Sequence, residues 1–211
     1  MPSTTKPIDL TDTYWNSLSA EHQALYALVR PLTKATYEVD VNATQVDRFL
    51  EQQAEDMATM GGSLELDPDF QRGHVWTMEQ RVAYLESLIR GCAPRTILFN
   101  CPGYSRGGTP GDLPTHTFQC IDGLQRLTSV RMFMAEEFGV FGGIKRSALV
   151  GSPFDLRRYT LKFAVYEFSR RVDILQFYLD LNTAGTAHSA AEIERVRHLL
   201  AAAQADAVQN A

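Results

Sequence analysis

A short run in the middle of the chain constrains its fold more than any other. Thr115 to Ile121 reads as a β-strand, and Asp122-Gly123 follows it directly. A helical pattern then begins, with Leu127, Val130/Arg131 and Met134 at helical spacing. A strand that enters a helix through a two-residue turn belongs to a mixed α/β architecture. The remaining patterns agree with that class. Thr96 to Asn100 is a compact apolar strand, and Tyr159 to Phe168 alternates, with Leu161, Phe163 and Val165 on one face of a half-buried strand. Thr36 to Val41 and Leu64 to Leu66 read as shorter strands.

Helices are expected over Ser19–Leu32, with Leu25, Leu28 and Val29 on one face, and over Asn42–Met60, stopped by Gly61-Gly62. Thr77 and Gln80 have capping-box spacing ahead of a helix whose face is Val82, Leu85 and Leu88/Ile89, closed by Gly91. Val172 to Leu181 is apolar enough for a buried helix, and Ser189 and Glu192 repeat the capping spacing before Ile193, Val196 and Leu200. Residues 102–114 hold four Gly and three Pro and form a loop, and Gly139 to Gly143 is a break. No internal repeat and no second-domain boundary is visible. The expected layout is a flexible arm over residues 1–18, one α/β (α+β) domain over 19–200 with helical additions at both ends, and a frayed Ala-rich tail over 201–211.

Composition narrows the class of protein. At 211 residues and 45% hydrophobic content the chain buries a core without disulfides or a metal. Three cysteines lacking Cys-x-x-Cys spacing, and five scattered histidines, form no disulfide framework and no zinc pattern. No apolar run is long enough to span a bilayer, and Met1 to Pro7 lacks the apolar stretch of a signal peptide, so a cytoplasmic protein is expected. The net charge of −5 is unevenly spread. Residues 1–70 carry 12 acidic and 4 basic side chains, whereas residues 71–211 carry 13 and 16, and Arg outnumbers Lys 16 to 4. Arg is the better bidentate ligand for phosphate, so an anion site fits the later part of the chain, although a GC-rich genome gives the same bias. A broad nucleic-acid surface would be more basic.

Three segments have the residue types for chemistry. In Gln119-Cys120-Ile121-Asp122-Gly123-Leu124-Gln125-Arg126-Leu127, Gly123 permits close backbone approach or a positive φ. The first amides of the following helix point outward with the positive end of its dipole, which favours anions. Arg126 can grip a phosphate in two places, Asp122 can hold a metal or orient a water, and Gln125 can orient a water without charge. The competing reading has Asp122 capping the helix and Arg126 paired with an acidic neighbour. In Asp67-Pro68-Asp69-Phe70-Gln71-Arg72-Gly73-His74-Val75-Trp76, Phe70, Val75 and Trp76 anchor a segment from which Arg72 faces a site, or else Phe70 and Trp76 are simply core. In Phe177-Tyr178-Leu179-Asp180-Leu181-Asn182-Thr183-Ala184-Gly185-Thr186, Asn182 either aims at a ligand or lies at an ordinary helix C-terminus.

Taken in order, these segments resemble the N-terminal domain of GmrSD-type modification-dependent restriction enzymes over roughly residues 60–190. That domain has a ParB/sulfiredoxin-like fold, a small mixed sheet flanked by helices, and is also found in phosphorothioate-sensing defence proteins and in short phage-borne proteins. The family commonly has Asp-Gly-Gln-Gln-Arg where this chain has Leu124 in the third position. The resemblance implies NTP binding and hydrolysis. It makes Asp122 and Gln125 catalytic candidates, with Asp122 also the Mg ligand. It makes Gly123, Leu124 and Arg126 phosphate-binding, and Gln71 and Arg72 second phosphate or substrate contacts. The restriction enzymes carry a C-terminal His-Asn-His nuclease. Only residues 187–211 follow the third segment here, so cutting DNA is expected to require a nuclease or defence partner, or a weak activity of the ParB-like domain itself.

Three functions compete. The first is a stand-alone NTP-binding domain, with or without hydrolysis, in phage or bacterial DNA restriction, defence or counter-defence. The second is a ParB-type DNA-binding or nuclease domain, whose affinity would fall steeply with salt. The third is a non-catalytic interaction protein that docks a partner through its acidic N-terminal region. The first alone uses the most specific residues. Homodimer formation stays open.

Overall fold

A computed structural model of the chain describes residues 6, 10–29, 31–71, 75–105, 110–183 and 190–209. Its frame is a five-stranded mixed sheet of β1 (Tyr37–Asn42), β2 (Ser63–Glu65), β3 (Thr96–Asn100), β4 (Thr117–Asp122) and β5 (Thr160–Tyr166), in the order β1-β5-β3-β4-β2. The pairs β1/β5 and β3/β4 are antiparallel, while β3/β5 and β2/β4 are parallel. The helices are α1 (Asp12–Ser17), α2 (Ala20–Val29), α3 (Val46–Thr59), α4 (Met78–Ile89), α5 (Leu124–Met134), the short α6 (Arg146–Leu149), α7 (Arg171–Thr183) and α8 (Ala190–Gln209). The α+β class read from the sequence is the class observed.

Strand side chains alternate between the two faces of the sheet, and here both faces are covered. Ile97 and Phe99 of β3, Phe118 and Cys120 of β4, and Leu161, Phe163 and Val165 of β5 join a core with α3, α4 and α5. Leu98, Ile121, Ala164 and Tyr166 point the other way into a second core built on α7, α8 and Phe70. Phe99 stacks between Phe118, at 4.4 Å between ring centroids, and Phe163, at 5.6 Å, which ties the three central strands together. Strand β5 is therefore buried on both faces rather than half-buried, because α7 and α8 cover the side that alternation alone leaves open.

The chain ends depart from expectation in ways that packing explains. Within the expected flexible arm, Asp12–Ser17 is helical: Thr11 Oγ1 accepts from the Tyr14 amide at 3.3 Å, and Trp15 is buried with its ring 5.7 Å from Tyr26. The Ala-rich tail continues as α8 to Gln209, since alanine favours helix and Leu200 and Ala203 pack into the second core. Helix α2 ends at Val29 and buries no side chain, so Leu25, Leu28 and Val29 face outward instead of into a core. The capping box at Thr77 and Gln80 forms in both directions, at 3.4 and 2.9 Å. Ser189, expected to open α8, lies outside the described residues.

Candidate functional site

Strand β4 ends irregularly just where the chemistry is expected. Leu98 opposes Asp122 while Phe99 opposes Cys120, which leaves Ile121 as an extra residue in a β-bulge. A bulge bends the strand and interrupts its ladder. The Gln71 side-chain amide fills the interruption, donating to the carbonyls of Cys120, at 3.2 Å, and of Ile121. Beneath the turn, burial pushes the Cys120 thiol far above its usual range, so it stays protonated and donates to the Asp122 carbonyl at 3.7 Å.

Gly123 then turns the chain with φ 95° and ψ 6° and acts as the N-cap of α5, with no side chain capping that helix. Two independent constraints require glycine here. The positive φ is one. The other is space, since a Cβ would lie 2.8 Å from Ile97 Cδ1 and 3.2 Å from Ile97 Cα. Strand β3 therefore sets the position of the α5 N-terminus.

Asp122, Gly123, Leu124, Gln125 and Arg126 line one cleft of about 180 Å³ together with Gln71, Trp76 and Pro94. Arg126 pairs with Asp122 one helical turn away, with the two side chains 16% and 34% exposed. Asp122 thus serves as the arginine's partner rather than as the helix cap. Gln125 is buried, and its side-chain oxygen accepts the Trp76 amide at 3.2 Å. The residue expected to orient a water is in this way also the link that fixes Trp76 beside α5. Behind Trp76, at 5.5 Å between centroids, lies Tyr84, whose hydroxyl donates to the Pro94 carbonyl at 3.1 Å. Burial pushes the Tyr84 hydroxyl up to about 12, against the smaller opposing pull of Arg126 and Arg95.

Of the residues expected at a site, Gln71 and the five from Asp122 to Arg126 converge on this cleft. Asn182 is not among the residues lining it, and its side-chain amide donates to the Tyr178 carbonyl of its own helix at 2.7 Å. Arg72 lies outside the described residues. Trp76, read from the sequence as an anchor, is a wall of the cleft, and Pro94 was not foreseen at all. A further contributor comes from α8: the Arg195 guanidinium donates to the carbonyls of Asp69, Phe70 (3.1 Å) and Gln71 (2.8 Å), while Arg171 of α7 pairs with Asp69 at 2.5 Å. The C-terminal helices therefore hold the segment that carries Gln71.

The cleft lining combines one guanidinium, Arg126, with one carboxylate, Asp122. No group of three or more metal-ligating side chains occurs among the described residues. One carboxylate beside a phosphate-sized cleft does fit magnesium that arrives with a phosphate ligand, because that ion commonly takes one or two carboxylates together with substrate oxygens. A volume of about 180 Å³ is below the range of pockets that enclose a drug-sized molecule.

Fold and cleft together define an α+β domain with an Asp-Gly-x-Gln-Arg turn at a bulged strand end. Residues 55–150 match the model of the family described as GmrSD restriction endonuclease, N-terminal domain, so this part of the chain is similar to that family. The match takes in the segments around Gln71 and Asp122 and stops before α7 and α8. No curated protein and no solved structure matches the chain. The family supports a role related to restriction systems. No helix among the described residues is long and apolar enough to cross a membrane.

Proposed function

We propose that the chain is a nucleotide-binding component of a DNA restriction or defence system, holding the phosphates of an NTP at the start of α5. The observation that carries this reading is the cleft itself, where a helix N-terminus without a side-chain cap, a glycine turn and Arg126 line one cavity. First-turn amides and a guanidinium are the donors that recognise phosphate. Asp122 would receive the magnesium that accompanies the nucleotide, and the bound ion would supply charge neutralisation along the phosphate chain. Hydrolysis, with Asp122 and Gln125 in catalytic roles, is the finer form of the proposal.

The test is thermal melting with each of the four NTPs and Mg²⁺, on the wild-type protein and on Arg126→Ala. A ligand at about a hundredfold its Kd adds about 2.7 kcal/mol, which for a chain of this size moves the midpoint by about 5–10 °C. The expected result is a shift in the wild-type protein that Arg126→Ala abolishes while retaining a cooperative transition. No shift with any NTP overturns the reading. Unchanged turnover in Asp122→Asn and Gln125→Ala would remove the catalytic roles.

One observation favours a second reading, that of a non-catalytic interaction protein. Helix α2 has no fully buried residue and exposes Leu25, Leu28 and Val29 on the acidic N-terminal part of the chain. That reading requires no nucleotide effect in the same experiment.

A further inference from the structure

The cleft has two kinds of lining. Asp122, Gly123, Gln125, Arg126 and Gln71 supply the polar part, and Trp76, Pro94 and Leu124 the apolar part. Its volume of about 180 Å³ is too small to enclose a whole nucleotide, so with the phosphates at the α5 N-terminus the base would lie past the rim. An indole at such a place is a flat apolar surface of the size of a base.

Trp76 is unusually well fixed for a residue outside regular structure. It precedes the capped first turn of α4, its amide is held by Gln125 Oε1 at 3.2 Å, and its ring is braced by Tyr84 at a centroid distance of 5.5 Å and an interplanar angle of 57°. Tyr84 is itself buried and anchored to the Pro94 carbonyl. Trp76 is only partly buried despite these contacts. A rigid aromatic plane that keeps some exposure at the edge of a polar cleft loses little freedom when a second plane stacks on it.

We infer that Trp76 is the base-stacking platform of the site, so that the protein binds nucleotides in preference to bare polyphosphate. This rests on the phosphate reading of the α5 N-terminus. Stacking on an aromatic residue is tolerant of base identity but stronger for larger rings, so purine nucleotides bind at least as tightly as pyrimidine ones. Gln125 acquires a positioning role in this picture, because it holds Trp76 at a fixed offset from Arg126.

The chain has two tryptophans, Trp15 and Trp76. Trp15→Phe therefore gives a full-length protein whose indole fluorescence reports Trp76 alone. It is titrated with ATP, CTP and inorganic tripolyphosphate in the presence of Mg²⁺, and the same ligands are followed by melting in Trp76→Ala and Trp76→Phe. The expected results are quenching by nucleotides, about five- to hundredfold tighter binding of ATP than of tripolyphosphate, and loss of that preference in Trp76→Ala but not in Trp76→Phe. Tripolyphosphate should bind Trp76→Ala as it binds the wild-type protein. Equal affinities for ATP and tripolyphosphate overturn the inference while leaving the phosphate site standing. An equal loss of both ligands in Trp76→Ala also overturns it, since Trp76 would then act only in shaping the cleft. If neither ATP nor tripolyphosphate binds the wild-type protein, the phosphate reading fails and this inference falls with it.

Discussion

Gly123→Ala probes the turn on which the site depends, and its effect can be worked from geometry. At φ 95° an L-residue lies well beyond the small left-handed region open to side chains, which costs about 1–2 kcal/mol even without a neighbour. The added Cβ also meets Ile97 Cδ1 at 2.8 Å and Ile97 Cα at 3.2 Å. The first atom ends a flexible side chain and can rotate away, but the second is backbone of a central strand and cannot. Overpacking of this kind costs about 1–3 kcal/mol, so the expected total is about 2–5 kcal/mol. Urea unfolding is the assay, and with a slope of about 3 kcal/mol/M the midpoint should fall by about 1 M at an unchanged slope. Ile97→Val removes the offending Cδ1 and by itself costs about 0.5–1.5 kcal/mol. In the double variant that cost should largely vanish, because the methyl it deletes is one the new Cβ has already displaced. A neutral Gly123→Ala would refute the strain argument. Strict additivity of the two substitutions would show that β3 does not set the height of the turn.

Two further outcomes follow from single residues elsewhere. Arg81 on α4 is buried, at 6% exposure, and its Nη1 has no hydrogen-bond partner among the described residues. Because a buried donor left unsatisfied costs about 1–3 kcal/mol, Arg81→Met should raise the melting midpoint, and a lower midpoint would mean that the guanidinium has an acceptor in solution. Asp155 accepts from the Arg157 side chain, the Arg157 amide and the Gly151 amide, which hold its carboxyl far below the usual range. An unfolded Asp takes up its proton near about pH 4 while the folded one does not, so its contribution to stability is complete above that pH and is lost as the pH falls. Urea midpoints measured between pH 5 and about pH 2 should decline less steeply in Asp155→Asn than in the wild-type protein, and equal slopes would exclude that carboxylate as a source of acid sensitivity.

What the sequence revealed and what it hid divide along contact range. The turn from β4 into α5 and the capping box of α4 depend on residues within a few positions of one another, so spacing and residue type are enough to find them. The order of the strands does not follow from any local signal: β2 and β4 run parallel at the edge although α4 and β3 lie between them in the chain. The double burial of β5 depends on α7 and α8, which alternation within the strand cannot report. The same limit applied at the site. Gln71, Gln125 and Arg126 were legible as polar residues inside motifs, whereas the wall made by Trp76 and the grip of Arg195 on three carbonyls join residues far apart in the chain. A tryptophan that follows a polar run and precedes a helix cap looks the same in sequence whether it is core or cleft. Its amide bond to Gln125, its ring contact with Tyr84 and its place in the cleft lining locate it.

The Asp122–Arg126 pair bears on the choice between a structural and a functional turn. From the sequence these were rivals, an arginine satisfied by a carboxylate or one reserved for phosphate. The pair is formed, and both side chains keep some contact with solvent, at 16% for Arg126 and 34% for Asp122. A ligand that brings several negative charges to the same guanidinium would compete with the single carboxylate for it. Magnesium arriving with that ligand would in turn compensate the carboxylate released. On the proposed reading, pairing and phosphate binding would be successive states of one device. The pair keeps the two charges compensated, and on the proposed reading neither would be left uncompensated when phosphate and magnesium bind.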